Sequence, residues 1–345
     1  MVLVTGATGL IGREVVRGLV AAGCRPTTLA RGGAPGTAEL RAYERQGLVR
    51  CLWGDLARGP DLGLTSAELA SLEGTRHVIH AAALYRLGAT VADVWPVNVD
   101  GTAHVLSRAA AWPVEAFHHV SSITIAGADE GEILEAPRAR PARFRNAYEE
   151  SKWTAEAHVL THATAPRKLV HRVGITIGHA ATGETCKHDG PYAAFGLMRR
   201  GTFFPIPGRG ARAFPLVTVD LVAEAIVAGV ERPPEGTTIL HVIDREPPTV
   251  REFARAMTRR LAGHGRAWPL PASVALAATR LPGFSRLTGL EPVAAEYMCS
   301  GATFATDRFA AFCAERGVGA ARVTRAYDAL ALRYALERAR SYHAA

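Results

Sequence analysis

The chain has 345 residues, 48% hydrophobic and 21% charged, which is ordinary for a globular protein and enough for one large core plus a smaller lobe. Its formal charge is +8, but the arginines are spread out with no basic tract, which sets nucleic acid aside and suits anionic small molecules such as dinucleotides or phosphopantetheine carriers. No apolar run approaches about 20 residues, so no membrane span is expected.

Five scattered cysteines without a CxxC argue for reduced thiols in a cytoplasmic protein, and against a zinc site or a disulfide frame. The opening MVLVTGATG runs straight from apolar residues into a turn, without the basic leader of a signal peptide.

Over the first two-thirds, short β-branched runs alternate with helical stretches, the pattern of parallel βαβ units. Strands are predicted at 1–5, 25–30, 48–53, 77–81, 116–122 and 168–173, with helices near 10–22, 38–46, 64–72, 93–111 and 147–163. Each strand is nearly continuous in apolar residues, as a sheet covered on both faces requires. The order is that of an α/β, Rossmann-type doubly wound parallel sheet. After about residue 174 comes the Gly/Pro-rich GTFFPIPG, with helices predicted near 219–231, 249–262 and 321–340. The expected organisation is a dinucleotide-binding domain over 1–175, with parts of 205–245 contributing, and an interleaved substrate lobe over 176–345.

VTGATGLIGREVV places Gly6, Gly9 and Gly12 three residues apart between the first strand and the first helix. Glycines there permit a tight turn, close backbone approach to a pyrophosphate and packing of helix on sheet, while the helix N-terminus offers free N–H groups. The second strand ends in LARGG. An acidic residue at that tip would bind the adenosine ribose hydroxyls and repel a 2′-phosphate; Arg31 stands there instead, and Arg13 opens the first helix. Two guanidiniums can clamp a phosphate, so NADP(H) is expected over NAD(H), the competing reading being that both arginines are merely solvated. Asp55 has two readings: an acceptor for the adenine amino group, or a helix N-cap.

Lys152 is one of three lysines in a chain with 37 arginines. It lies four residues after Tyr148 on a predicted helix, so the two share a face. An ammonium close to a phenol stabilises the phenolate and makes the tyrosine a usable proton donor and acceptor. Arginine, a wide planar fork, replaces that slim charge poorly. Ser122 ends the fifth strand at the carboxyl edge of the sheet, where ligands bind in open α/β folds, and can hydrogen-bond a substrate oxygen. Ser121 is the competing serine.

TGATGLIG, GDL (54–56), HAAA (80–83), NVDGTAHVL (98–106), VSS (120–122) and YEESKWTAE (148–156) together resemble the extended short-chain dehydrogenase/reductases over roughly residues 1–230. The resemblance implies Ser122, Tyr148 and Lys152 as the active triad, with Asn98 organising structure or a proton-relay water. It also implies cofactor contacts from Gly6, Thr8, Gly9, Leu10, Ile11, Gly12, Arg13, Arg31, Asp55, Leu56, Ala81, Ala82, Ala83, Tyr148, Lys152, Val173, Gly174 and Ile175. Residues 178–201 and 205–227 further resemble the thioester-reductase and fatty-acyl-reductase branch, the male-sterility type, whose members reduce carrier- or CoA-bound acyl thioesters. Val173 departs from the proline usual there, and HAAALYRLG (80–88) is also similar to dihydroflavonol-reductase-like and sugar-epimerase-like members.

The leading expectation is an NADPH-dependent reductase of a carbonyl or acyl thioester, with an acyl carrier protein among its partners and a homodimer left open. Next comes a ketone/alcohol oxidoreductase acting on a polyketide, steroid or flavonoid-like molecule. A nucleotide-sugar epimerase and a non-catalytic NADP-binding sensor follow. Tyr85, the loop 123–146, Tyr192, Phe195, Phe203, Phe204, Trp268 and Tyr297 are the candidate substrate contacts. No metal is assigned, because His118 and His119 are adjacent on one strand and face opposite ways.

Overall fold

The computed structural model describes residues 1–186, 190–201, 204–288, 290–319 and 321–343. Seven strands form one sheet. In chain order the strands are β1 (Val2–Thr5), β2 (Thr27–Ala30), β3 (Arg50–Trp53), β4 (His77–His80), β5 (Ala116–Ser122), β6 (Gly131–Ile133), β7 (Arg167–Val173) and later ones given by range. The spatial order is Thr237–Val242, β7, β5, β4, β1, β2, β3, and every neighbouring pair is parallel. The order reverses between β1 and β4, so the crevice for a ligand opens beyond their carboxyl ends.

Alternation along each strand feeds two cores. Val4 packs beneath α1 (Leu10–Ala21) and the helix Val219–Glu231 with Val15, Val16, Leu19, Leu221 and Ile226. Leu3 points the other way, into Leu29, Val78, Val105, Phe117 and Val159. A third core, around Phe195, Phe253, Met257 and Tyr327, holds the C-terminal lobe together.

Among the described residues the lobe has helices over 191–200, 272–278, 284–288, 293–299 and 307–316 that were not expected, and three further differences concern the sheet domain, its junction with the lobe and the lobe itself. Thr237–Val242 is a seventh, edge strand, registered on Lys168–Val173. The helix expected over 93–111 is Val91–Trp95, a π-turn Pro96–Asp100 and Gly101–Ala110. Pro96 lacks an amide hydrogen and cannot continue an ordinary helix, and Gly101 N–H reaches back to the Pro96 carbonyl. Three two-stranded parallel ladders were not foreseen: 131–133 with 302–304 ties the loop after β5 to the C-terminal part, 175–177 with 216–218 follows on from β7, and 204–207 with 267–270 lies within the lobe.

Candidate active site

The glycine loop fills the turn after β1, and its three glycines have different reasons to be glycine. Gly6 has φ +73°, and a Cβ there would lie 2.5 Å from the Ala82 amide nitrogen. A Cβ on Gly12 would lie 2.1 Å from the Gly6 carbonyl oxygen. These two are demanded by the protein's own backbone. Gly9 is less crowded, its Cβ coming only to 3.3 Å from Gly6 O. It caps α1 without a side chain, and the first turn of that helix has no acidic residue. The loop therefore presents bare amides and the positive helix end, a cradle that fits a dinucleotide pyrophosphate.

The two arginines expected to clamp a 2′-phosphate differ in their surroundings. Arg13 donates from Nε to Glu39 at 2.8 Å, pairs with Glu39 through Nη2 at 2.6 Å, and reaches Glu184 at 3.5 Å. Arg31 is exposed, and its side chain has no hydrogen-bond or ion-pair partner among the described residues. Glu39 and Glu184 thus engage Arg13, and Arg31 is the cation at the β2 tip without such a partner. Asp55 takes the N-cap alternative, accepting from Ala57 N–H at 3.0 Å. Leu56 is buried in the core around Phe117, and Val173 in the core under α1. Ala81, Ala82 and Ala83 follow β4 at the carboxyl edge, against Gly6. Gly174 passes close under Pro215 O, where a Cβ would come to 2.5 Å, and Ile175 faces the cavity described below.

Tyr148 and Lys152 lie one turn apart on the helix Ala147–Thr161, and both are buried. The Tyr148 ring packs edge-on against Tyr85, with centroids 5.0 Å apart. Lys152 Nζ donates to Val120 O at 2.7 Å, and burial pulls its pKa down to about 8, against the opposite pull of Glu156.

The two serines of β5 separate cleanly. Ser121 donates to Glu156 at 2.6 Å, and Glu156 is bound in turn by the buried Arg172 at 2.7 Å, so Ser121 belongs to a structural network. Ser122 accepts from the Thr124 amide at 3.2 Å and the Thr124 hydroxyl at 2.9 Å, which leaves its own proton for another acceptor.

Behind this group runs a strap that sequence reading missed. Thr102 gives its hydroxyl proton to Asn98 O at 2.6 Å, so it accepts from His80 Nε2 at 2.9 Å; His80 Nδ1 must then accept from the Thr5 hydroxyl at 2.8 Å. Burial, aided by the Lys152 charge, holds His80 neutral with a pKa of about 3. Asn98 turns its side chain to Leu84, accepting from its amide at 2.7 Å, and donates to Ser151 Oγ at 2.9 Å. The strap ties the residue before the glycine loop to the π-turn and to the helix that carries Lys152. HAAA and NVDGT, already prominent in the sequence, contain its signal.

An apolar cavity of about 250 Å³ lies mostly within the lobe and reaches Tyr85, Leu87 and Thr124, with Ile175, Phe204, Phe253 and Tyr297 also in its lining; Ser122, Tyr148 and Lys152 are not part of that lining. Of the candidate substrate contacts, Tyr85, Phe204, Tyr297 and Thr124 of the 123–146 loop face it. Tyr192 and Phe195 belong to the lobe core, where Tyr192 OH accepts from Gly178 N–H at 2.7 Å. Trp268 is 62% exposed and lies outside the cavity lining. Phe203 lies outside the described residues. His118 stacks on His171 and His119 on His80, on opposite faces of β5. Among the described residues no His, Cys, Asp or Glu cluster could hold a metal, and no helix is long and apolar enough to cross a membrane.

A doubly wound parallel sheet, a bare-amide glycine loop at its switch point and a buried Tyr–Lys pair beside it define an NAD(P)-dependent oxidoreductase of the extended short-chain type. Residues 4–226 match the NAD-binding family described as male sterility protein, and the chain belongs to that family. It is 33% identical over 211 residues to a linear gramicidin synthase of Brevibacillus parabrevis, covering 54% of this chain and 4% of that protein. It is 32% identical over 161 residues to a 2-alkyl-3-oxoalkanoate reductase of Shewanella oneidensis, covering 46% of this chain and 38% of that one. The chain thus spans well under half the length of either relative. The terminal R domain from the myxalamid PKS-NRPS biosynthetic pathway superposes with a TM-score of 0.80 at 20% identity, over 98% of this chain and 90% of that one. At that identity the likeness speaks for the fold.

Proposed function

We propose that this protein is an NADPH-dependent reductase of an acyl thioester, carried on CoA or on a carrier protein, with Tyr148 as general acid. The carrying observation is the buried Tyr148–Lys152 pair on one helix, with the uncommitted Ser122 proton at the carboxyl edge of β5 and an apolar cavity against Tyr85 and Thr124. The relation to a linear gramicidin synthase and the likeness to a terminal R domain support a thioester substrate. Arg31, free at the β2 tip, supports NADPH.

The nicotinamide, when bound, supplies the hydride. The amides of Leu10, Ile11 and Gly12 and the opening of α1 would hold its pyrophosphate. Ser122 donates a hydrogen bond to the substrate carbonyl oxygen, and Tyr148 delivers a proton to the same oxygen as charge develops there. Lys152, an ammonium at pH 7, stabilises the phenolate that Tyr148 becomes. The apolar walls hold the acyl chain and keep bulk water from the carbonyl. Loss of the thiol from the reduced carbon leaves an aldehyde.

A second reading, reduction of a ketone, is favoured by the relation to the 2-alkyl-3-oxoalkanoate reductase. NADPH oxidation followed across acyl-CoAs, aldehydes and ketones separates the two, since consumption with ketones alone would select the second. For either, Tyr148→Phe is expected to reduce turnover by about 10²-fold or more while NADPH still quenches protein fluorescence. A retained rate refutes the acid assignment. The five unpaired cysteines suit a reducing compartment, and we place the protein in the cytoplasm.

A further inference from the structure

The helix that carries Tyr148 is anchored at its first turn by a buried carboxylate that the proposed chemistry does not use. Glu149 has no exposed surface. It accepts from the Arg145 amide at 2.7 Å, from the Arg145 guanidinium at 3.2 Å and from the Tyr297 hydroxyl at 2.7 Å. Tyr297 comes from the lobe, on the helix Val293–Cys299, and lines the apolar cavity. Its hydroxyl also accepts from Asn146 Nδ2 at 3.1 Å, and Asn146 is the N-cap of the Tyr148 helix. Arg145 lies over the Tyr297 ring, 5.2 Å from its centroid, and donates to Gly127 O and, at 3.1 Å, to Ser300 Oγ.

Three parts of the chain therefore meet at one knot: the loop that follows Ser122, the first turn of the Tyr148 helix, and the lobe wall that faces the cavity. Burial and then the Glu149 charge hold the Tyr297 phenol well above its ordinary pKa, so it remains a donor to Glu149. The sheet and its two cores do not pass through this contact, and Glu149 keeps both Arg145 donors if the phenol is lost.

We propose that Tyr297 is a positioning residue: its hydroxyl, acting through Glu149, couples the seating of the cavity wall to the orientation of Tyr148. The inference rests on the reading of Tyr148 as the acid. Misorientation of a proton donor by a fraction of an ångström lowers the chemical step without weakening ground-state binding.

The test compares Tyr297→Phe, which keeps the ring and its contact with Arg145, with Tyr297→Leu, which removes part of the cavity wall as well. With an acyl-CoA and NADPH, Tyr297→Phe is expected to lower kcat about tenfold, with KM and NADPH affinity within about threefold and Tm lowered by only a few degrees, as loss of one buried hydrogen bond predicts. Tyr297→Leu should lower kcat similarly and raise KM in addition. A kcat for Tyr297→Phe within about twofold of the parent overturns the proposal, as does a loss of rate in which KM and NADPH affinity worsen along with kcat. Tyr148→Phe assayed alongside keeps the two ideas apart. If it retains turnover, the acid assignment fails and this inference with it; if it is inactive while Tyr297→Phe is normal, only the positioning role fails.

Discussion

Lowering the pH from 7 to 5.5 is expected to remove much of this protein's stability. His80, His118, His119, His171 and His241 are buried on adjacent strands of the sheet. Burial holds His80 and His171 near 3 and His241 near 4, and depresses His118 and His119 well below the ordinary value. In the unfolded chain each takes up a proton near pH 6.5. A histidine whose folded pKa is depressed contributes no penalty above the unfolded value. As pH falls through 6.5, the unfolded state gains protons that the folded state refuses, and stability is lost until the folded pKa is reached. Over pH 7 to 5.5 that amounts to about 1 kcal/mol for each histidine, about 5–6 kcal/mol for the five, against a typical total of about 5–15 kcal/mol. Glu135, raised by burial, offsets a small part of this because its folded form takes up a proton earlier than its unfolded form. With a urea m-value of about 3 kcal/mol/M, the midpoint should fall by about 2 M. Urea titrations followed by tryptophan fluorescence at pH 7.0, 6.2 and 5.5 measure it. A midpoint that moves by less than about 0.5 M would refute the reasoning, because the five histidines would then be protonated in the folded state.

Replacing Arg31 with Ala should cost NADPH about tenfold or more in affinity and leave NADH binding nearly unchanged, since only the 2′-phosphate differs; an unaltered preference in fluorescence titrations would remove Arg31 from cofactor selection. The burial-lowered pKa of Lys152, about 8, places an alkaline limb on kcat/KM for the free enzyme. The ammonium that stabilises the phenolate is present below that pH and lost above it, so a flat pH–rate profile from 7 to 9.5 would show that Lys152 does not act through its charge.

The sheet was legible because the evidence for it is local. Strands covered on both faces must be nearly continuous in apolar residues, and Gly9 and Gly12 follow from contacts within the loop, although Gly6 is also pressed by Ala82, 76 residues on. That Tyr148 and Lys152 share one helix, a turn apart, was legible for the same reason. What failed to show was long in sequence and decided by packing. Arg13 is taken by Glu39 and Glu184, 26 and 171 positions away, and neither carboxylate is marked by any motif. Tyr297 meets Glu149 across 148 positions. Composition could name the lobe aromatics as a group, but only the folded chain separates Tyr297, on the cavity, from Phe195, in the core, and Trp268, in solvent. The edge strand Thr237–Val242 lies between, since its apolar run is visible but its pairing with β7 bridges 69 positions from His241 to Arg172.

The acid-sensitive histidines and Lys152 are connected by electrostatics. His80 and His119 lie on the same face of the sheet as Lys152, and both feel its charge as a push toward the neutral form. Were either protonated, a second positive charge would lie near the ammonium in a low-dielectric interior and would lower the Lys152 pKa further. Glu156, the carboxylate that opposes this pull, is already engaged by Arg172 and Ser121, so it is not free to swing toward the site. The result is a buried Lys152 with neutral histidine rings near it. The same neutral rings make the protein vulnerable to acid: they stay neutral in the folded chain well below pH 5.5, so the fold loosens before the field around Lys152 is disturbed.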